Sequence, residues 1–275
     1  LRYNTATKIA NIVGPSDIDS QENHIYSELG FYDTQAGQAQ LLNRSVLTNE
    51  GKLMTGDSLF YDRNRGFGEA FQNVEFVDTI NKNMLEGNYC YYNQLTSYAF
   101  ATDEAVAKDF SQGDSLFIHA DTLQMFTFHL NTDSVYREAR AYHKVRVYRT
   151  DVQAVCDSLV FSSKDSCLTM YRDPILWNKN QQLLGEEIRV YMNDSTIDWA
   201  HIWNQALSVE RIDSANYNQV SGKEMKAFFH NGEMNQVDVD GSVRLVYYPM
   251  EKDSTLIGMN VSETSKLSIF LENRK

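Results

Sequence analysis

The sequence predicts an all-β chain of repeated antiparallel units, about sixteen strands in all. Three observations predict it. A short phrase returns along the chain: small residue, Asp or Glu, Ser or Thr, apolar, any residue, apolar or aromatic. Apolar side chains within each phrase alternate as in a strand with one buried face. Clusters of Asn, Asp, Ser, Gly and Lys separate each such stretch from the next.

The clearest copy of the phrase is Gly56-Asp57-Ser58-Leu59-Phe60-Tyr61-Asp62. Ala120-Asp121-Thr122-Leu123-Gln124-Met125, Cys156-Asp157-Ser158-Leu159-Val160-Phe161 and Gly185-Glu186-Glu187-Ile188-Arg189-Val190 follow it closely. Looser copies begin at Ser27, Gly87 and Gly222, and the weakest is Gly258-Met259-Asn260-Val261. The steps between copies run from 29 to 37 residues. A step of this size means one supersecondary unit stacked many times. A single repeat-built domain over 1–275 is therefore expected.

The alternating positions are Leu59/Tyr61, Cys90/Tyr92, Leu123/Met125, Leu159/Phe161 and Ile188/Val190. Two residues before each small residue stands another apolar one, such as Met54 before Gly56. The odd interval from Met54 to Leu59 cannot keep both on one face of a regular strand. A bulge or bend near the Gly-Asp step would repair the parity. A second strand follows each phrase, with Val74/Phe76 and Val145/Val147 alternating with charged residues. Ile175/Trp177 and Val243/Leu245 read as the same positions. Trp199, Ile202 and Trp203 could mark a helical face, but Ser195-Thr196-Ile197-Asp198-Trp199 alternates, and 184–210 reads as strand. Pro174 inside a second strand predicts an edge or bulge there.

Composition narrows the function classes. The formal net charge of −12 argues against a nucleic-acid partner and against passive docking on an anionic membrane. No stretch is apolar enough, at sufficient length, to span a membrane as a helix. No signal peptide is visible, and the chain starts at Leu1 without Met, as a processed or trimmed chain would. Of the three cysteines, Cys156 and Cys167 flank a turn and could face each other as a disulfide. At Cys90 and Cys156 a small buried thiol is the favoured reading.

No catalytic pattern emerges. The six histidines have no metal-ligand spacing, and no nucleophile elbow or phosphate-binding glycine loop is present. The Asp and Glu residues recur with the repeat. A catalytic acid is normally unique, so the recurring acid reads as turn and bulge chemistry, its carboxylate accepting nearby backbone N–H groups. Calcium repeats are denser in Asp and Gly than these units of about thirty residues.

The phrase, followed by Asn73-Val74-Glu75-Phe76-Val77-Asp78, resembles the repeat of the OstA-like lipopolysaccharide-transport family. That group includes the periplasmic bridge protein LptA and the N-terminal domain of the translocon LptD. Ala120-Asp121-Thr122-Leu123 and Val145-Arg146-Val147 carry the resemblance next, and it extends loosely over 25–270. The frequent Asp-Ser and Asp-Thr pairs are similar to those of a Bacteroidetes-type member. The family's second strand often has Gly before its Val, where this chain has Asn73, Lys144 and Pro174, with Gly241 one residue further upstream.

The resemblance implies an elongated, open, V-shaped antiparallel β-jellyroll whose apolar interior accepts lipid acyl chains. It implies no enzyme activity and no cofactor or metal. It implies lipopolysaccharide or a similar lipid as partner, with head-to-tail contacts to itself or to other bridge proteins, in the periplasm of a Gram-negative bacterium. The lipid-lining residues expected are Leu59, Tyr61, Tyr92, Leu123, Met125, Val145, Leu159, Phe161, Ile188 and Val190. Plain inter-sheet core is the competing reading of each. Met125 and Met225 would suit a flexible lipid surface. A ligand-free structural or adhesive β-repeat protein is the competing function. A carbohydrate-active β-helix fits less well, because a hairpin turn lies inside each unit.

Overall fold

The computed structural model describes residues 1–19, 23–49, 51–111, 113–193, 196–230, 233–251 and 255–271. They form twenty-one strands and no helix. The chain divides into two compact units, Leu1–His143 and Lys144–Lys275.

In the first unit the strands are β1 (Arg2–Asn4), β2 (Ile9–Ile12), β3 (Ser16–Asp19), β4 (Asn23–Ser27), β5 (Leu29–Asp33) and β6 (Gln38–Asn49). They continue as β7 (Lys52–Asp62), β8 (Phe67–Asp78), β9 (Asn83–Asn93), β10 (Tyr98–Asp109) and β11 (Leu116–Phe128). β12 (Tyr136–Tyr148) reaches into the second unit. That unit holds β13 (Val152–Ser162), β14 (Cys167–Tyr171), β15 (Ile175–Asn178), β16 (Gln181–Leu184), β17 (Glu187–Asn193), β18 (Thr196–Arg211), β19 (Tyr217–His230), β20 (Glu233–Tyr247) and β21 (Asn260–Phe270).

The long strands pair antiparallel in sequence order, β6 through β11 in one unit and β17 through β21 in the other. Four pairs of short segments, β2/β3, β4/β5, β14/β15 and β16/β17, are long strands broken at one point. For example, β4 and β5 pair with the two ends of β6. Joining each of these four pairs turns twenty-one segments into seventeen strands, close to the sixteen expected.

Three of these breaks, all but β2/β3, have one physical cause. Seven pairs of consecutive described residues have positive φ: Asn43/Arg44, Gln72/Asn73, Asp103/Glu104, His143/Lys144, Arg172/Asp173, Asn204/Gln205 and Gly241/Ser242. Each lies in a second strand, and the ladder slips beside six of them, all but His143/Lys144. Between β6 and β7, Leu42 pairs with Ser58 and Ser45 with Gly56, so two residues oppose one. The residue after each pair is buried: Ser45, Val74, Ala105, Val145, Pro174, Ala206 and Val243. The expected bulge is therefore present, but on the strand beside the Gly-Asp step. Pro174 takes the place of Val74. Leu176 accordingly faces inward where Ile175 and Trp177 were expected, and Trp177 takes the opposite face.

The small residue of the phrase is small for steric reasons. A Cβ on Gly185 would meet Ile202 Cγ2 at 2.5 Å, and one on Gly222 would meet Val239 Cγ1 at 2.6 Å. Three residues after the small one comes the buried side chain, as in Leu59, Cys90, Leu123, Leu159, Ile188 and Met225. The last copy of the phrase is displaced. In β21 the corner lies at Ser265, between the pairs Val243–Thr264 and Asp240–Lys266, and not at Gly258.

The recurring acid also has a different role from the one expected. Asp57 Oδ2 accepts from Asn73 Nδ2 at 2.8 Å, and Asp157 Oδ2 accepts from Arg172 Nη1 at 3.1 Å. Glu186 accepts from Asn204 Nδ2 at 3.1 Å and Gln205 Nε2 at 2.7 Å. Each acid thus holds side chains of the left-handed pair on a neighbouring strand. In the Gly87-Asn88 copy the backbone bond is made, Asn88 Oδ1 accepting from Asn73 N at 3.4 Å, and further backbone N–H groups are accepted by other residues at the strand ends. Asp33 takes those of Gln35 and Ala36, Asp62 that of Arg65, Asp78 those of Ile80 and Asn81, and Asn93 those of Leu95 and Thr96. These turns close on left-handed Gly37, Gly66, Lys82 and Ser97.

On the outer side of β7–β11 the rings stack across strands. Phe67 meets Tyr91 at 5.8 Å, Tyr91 meets Phe100 at 5.5 Å and Tyr98 meets Phe126 at 4.9 Å. Cross-strand aromatic pairs stabilise such a face by about 0.5–1.5 kcal/mol each beyond their burial.

Two measurements check this account. Exposed Glu104 sits left-handed at a corner. Glu104→Gly removes about 1–2 kcal/mol of backbone strain and adds about 0.5–1 kcal/mol of unfolded-state entropy. The variant should melt at or slightly above the parent temperature, whereas Glu104→Pro should melt far below it.

The second concerns acid stability. The Gln38 amide and the Arg65 N–H hold the Asp62 carboxyl below its ordinary value of 3.8. The Asn216 amide and the N–H groups of Ala215 and Asn216 do the same for Asp213. Burial pushes Asp78 up, but bonds from Asn81 and Ile80 outweigh it and leave its carboxyl low. A lowered folded value favours the folded state above the unfolded pKa, and that contribution disappears as pH falls through the folded one. The melting temperature should hold from pH 7 to about pH 5 and drop below about pH 4. Asp62→Asn should reduce the drop.

Candidate functional site

The inner face of the first unit is built in cross-strand rows. Leu41, Leu59, Ala70, Cys90, Ala101 and Leu123 are partners in register from β6 to β11. All six are buried. The next row on the same face, two residues further from the corner, is Ala39, Tyr61, Gly68, Tyr92, Ala99 and Met125. Here Tyr61 is 37 %, Tyr92 44 % and Met125 40 % exposed, against 5 % for Leu59. Large apolar side chains alternate with Ala and Gly, so each ring stands beside a low neighbour.

Across the corner, Ile18, Ile25, Leu47, Met54, Phe76, Leu85, Ala107 and Ile118 form a further apolar row in register. They are half-buried. Burial in this unit therefore falls with distance from the corner on both sides of it. Six strands at about 4.8 Å spacing give the row β6–β11 a length of about 24 Å.

The second unit is filled more deeply. Leu159, Met170, Ile188, Ile202, Met225 and Val239 form its first row, and all are buried. In its second row, Val190, Ala200, Ala227 and Val237 are buried too, while Phe161 is half-buried. Val145 is buried immediately after a left-handed pair, a corner position unlike the others. The ten lining residues of the sequence reading thus divide. Leu59, Leu123, Val145, Leu159, Ile188 and Val190 are buried, Phe161 is half-buried, and Tyr61, Tyr92 and Met125 are open on the same face as Leu59. Met225 is buried as well, unlike Met125.

Outside this face the second unit has two tryptophan-lined hollows. One, of about 320 Å3, is lined by Thr150, Asp151, Gln153, Trp177 and Lys179. The other, of about 190 Å3, is lined by Glu187, Arg189, His201 and Trp203. His201 Nε2 lies 2.8 Å from Glu224 Oε2. Neither hollow was legible in the sequence, because the repeat pattern marks only inward positions.

All three cysteines are free and buried, so Cys156 and Cys167 do not pair. Burial pushes the Cys90 and Cys156 thiols up to about 12. Such thiols are poor nucleophiles. Among the described residues no cluster of His, Cys, Asp and Glu could hold a metal ion.

No protein-family model and no curated protein sequence matches the chain. Among solved structures the chain is similar to LptH from Pseudomonas aeruginosa, described as the LptA-homologous periplasmic component of the conserved lipopolysaccharide transport device. The match has a TM-score of 0.36 and 13% identity, and it covers 44% of this chain and 82% of LptH.

The two rows of the first unit respond differently to charge. Leu59→Asp buries an unpaired carboxylate and should destabilise by about 3 kcal/mol or more. Tyr61→Asp, two residues on along the same face, should cost about 1 kcal/mol or less. Urea unfolding of both variants measures the difference.

Proposed function

We propose that this chain is a non-enzymatic carrier whose inner face holds the acyl chains of a lipopolysaccharide-like lipid, as part of a periplasmic bridge to the outer membrane. One observation carries the reading. The first unit presents Tyr61, Tyr92 and Met125 open on the face whose neighbouring row, Leu59 to Leu123, is closed. A fatty chain laid along that row would cover rings that are otherwise half in water. Each buried CH2 group is worth about 0.8 kcal/mol. Every second strand offers a similar contact, Tyr61, Tyr92 and Met125 in turn, so a chain slides without meeting a single tight site. The charged head group stays in solvent, in keeping with the acidic chain. The resemblance of Gly56–Asp62 and Asn73–Asp78 to the OstA-like repeat supports the same reading.

The partners fit this arrangement. β21 pairs with β20 and is exposed along most of its length. A strand edge of this kind templates pairing with another chain, here a second copy or another bridge protein of the same fold.

A ligand-free structural role is the second reading, and the buried second row of the other unit favours it. Photo-crosslinking separates the two. A photoreactive residue at Tyr61 or Tyr92, in protein kept in its native envelope, should capture lipid. One at Glu75, on the outer side of β8, should not. Equal capture at all three positions, or none at any, would leave the structural role standing.

A further inference from the structure

We propose that the hollow around Trp177 is a saccharide-binding site for an uncharged pyranose of an oligosaccharide. The site lies on the outer side of the second unit and is independent of the lipid reading.

Register builds it. Gln153 on β13, Trp177 on β15 and Gln182 on β16 are direct cross-strand partners, so an indole stands between two primary amides on one face. The inward neighbours Ala154, Leu176 and Leu183 form the opposite face of the same strands. Trp177 therefore faces out because Pro174 sets the phase of β15. Asp151, Thr150 and Lys179 close the hollow at the strand ends. Asp151 is fixed in place, accepting from Arg149 Nε at 2.5 Å and Arg149 Nη2 at 3.0 Å.

This set of groups selects its ligand class. A pyranose presents a patch of C–H groups to an aromatic ring, and its vicinal hydroxyls to groups that donate and accept in pairs. Gln153 does both, with Gln182 on the next strand beyond Trp177, Thr150 does both through one hydroxyl, Asp151 accepts and Lys179 donates. No aliphatic side chain lines the hollow, as an apolar partner would require. Asp151 is already paired with Arg149, so the ring, amide and hydroxyl groups are left to recognise the ligand, with Lys179 at the rim, and these suit the uncharged hydroxyls of a sugar. The volume of about 320 Å3 exceeds that of the Trp203 hollow. The Trp203 ring is also met edge-on by His201 at 5.2 Å, and neighbouring Trp199 is stacked on Tyr191 at 4.1 Å. Among the described residues no aromatic ring is stacked on Trp177, which is half-buried at the wall of the hollow.

The test is titration calorimetry of the whole chain with maltohexaose, cellohexaose and laminarihexaose, and in parallel with delipidated lipopolysaccharide core oligosaccharide. At least one neutral hexaose should bind in the millimolar range or tighter. Trp177→Ala should weaken it about tenfold or more, and Trp177→Phe should retain most of it. An unchanged circular-dichroism melt of Trp177→Ala shows that the loss is local. Trp203→Ala should leave the affinity within about twofold, since Trp203 lines the other hollow. Three outcomes overturn the proposal: no binding of any hexaose, hexaose binding indifferent to Trp177→Ala, and binding of the charged core oligosaccharide alone.

Discussion

The corner governs this structure. In each second strand two consecutive residues turn left-handed, and the residue after them is driven inward. Thirteen of the fourteen left-handed residues are not glycine. Such a conformation costs about 1–2 kcal/mol per residue with a side chain, so it must be held from outside. The hold comes from the neighbouring strand. Asp57, Asp157 and Glu186 accept hydrogen bonds from Asn73, Arg172, Asn204 and Gln205. At these three corners the acid of one strand and the strained pair of the next belong together.

The burial pattern follows from the corner. Beside it only small or compact side chains fit inward, as Gly56, Ala105 and Ala120 show, and these are covered. Two residues further out there is room for rings. Whether those rings are covered differs between the units. The first has Tyr61, Tyr92 and Met125 in its second row, side chains long enough to project beyond their neighbours. In the second unit Phe161 and Leu168 are half-buried there, and Val190, Ala200, Ala227 and Val237 pack fully. A carrier needs the first kind of face and a rigid prop needs the second. This chain has both, in different units.

The outward side obeys a different chemistry. It has no partner layer to fill, so side chains there satisfy themselves along the sheet, as cross-strand ring stacks and as pairs such as Arg149 with Asp151. Trp177 departs from that habit. It has the amides of Gln153 and Gln182 for cross-strand neighbours, where the rings of β8–β11 have one another.

Much of the fold was legible because the repeat is written in residue types that physics restricts. The small residue, the apolar one three places on and the Asx-led turn each have a steric or hydrogen-bonding reason, so strands and inward positions could be read from Leu59 or Met225 directly. Phase was harder to read. Ile175 and Trp177 were assigned inward, since alternation alone cannot tell which member of a neighbouring pair faces in, and Pro174 shifted them by one. The acid at Asp57 was read as a backbone acceptor because its true partner, Asn73, lies sixteen residues away. The displaced last copy at Gly258 misled for a similar reason: composition matched where register did not. The sequence by itself thus determined the strand class, the repeat and the inward faces, all of which depend on local periodicity. Only the tertiary structure decided which inward side chains remain open and where Trp177 points. Both depend on how far each residue lies from a corner made by another strand.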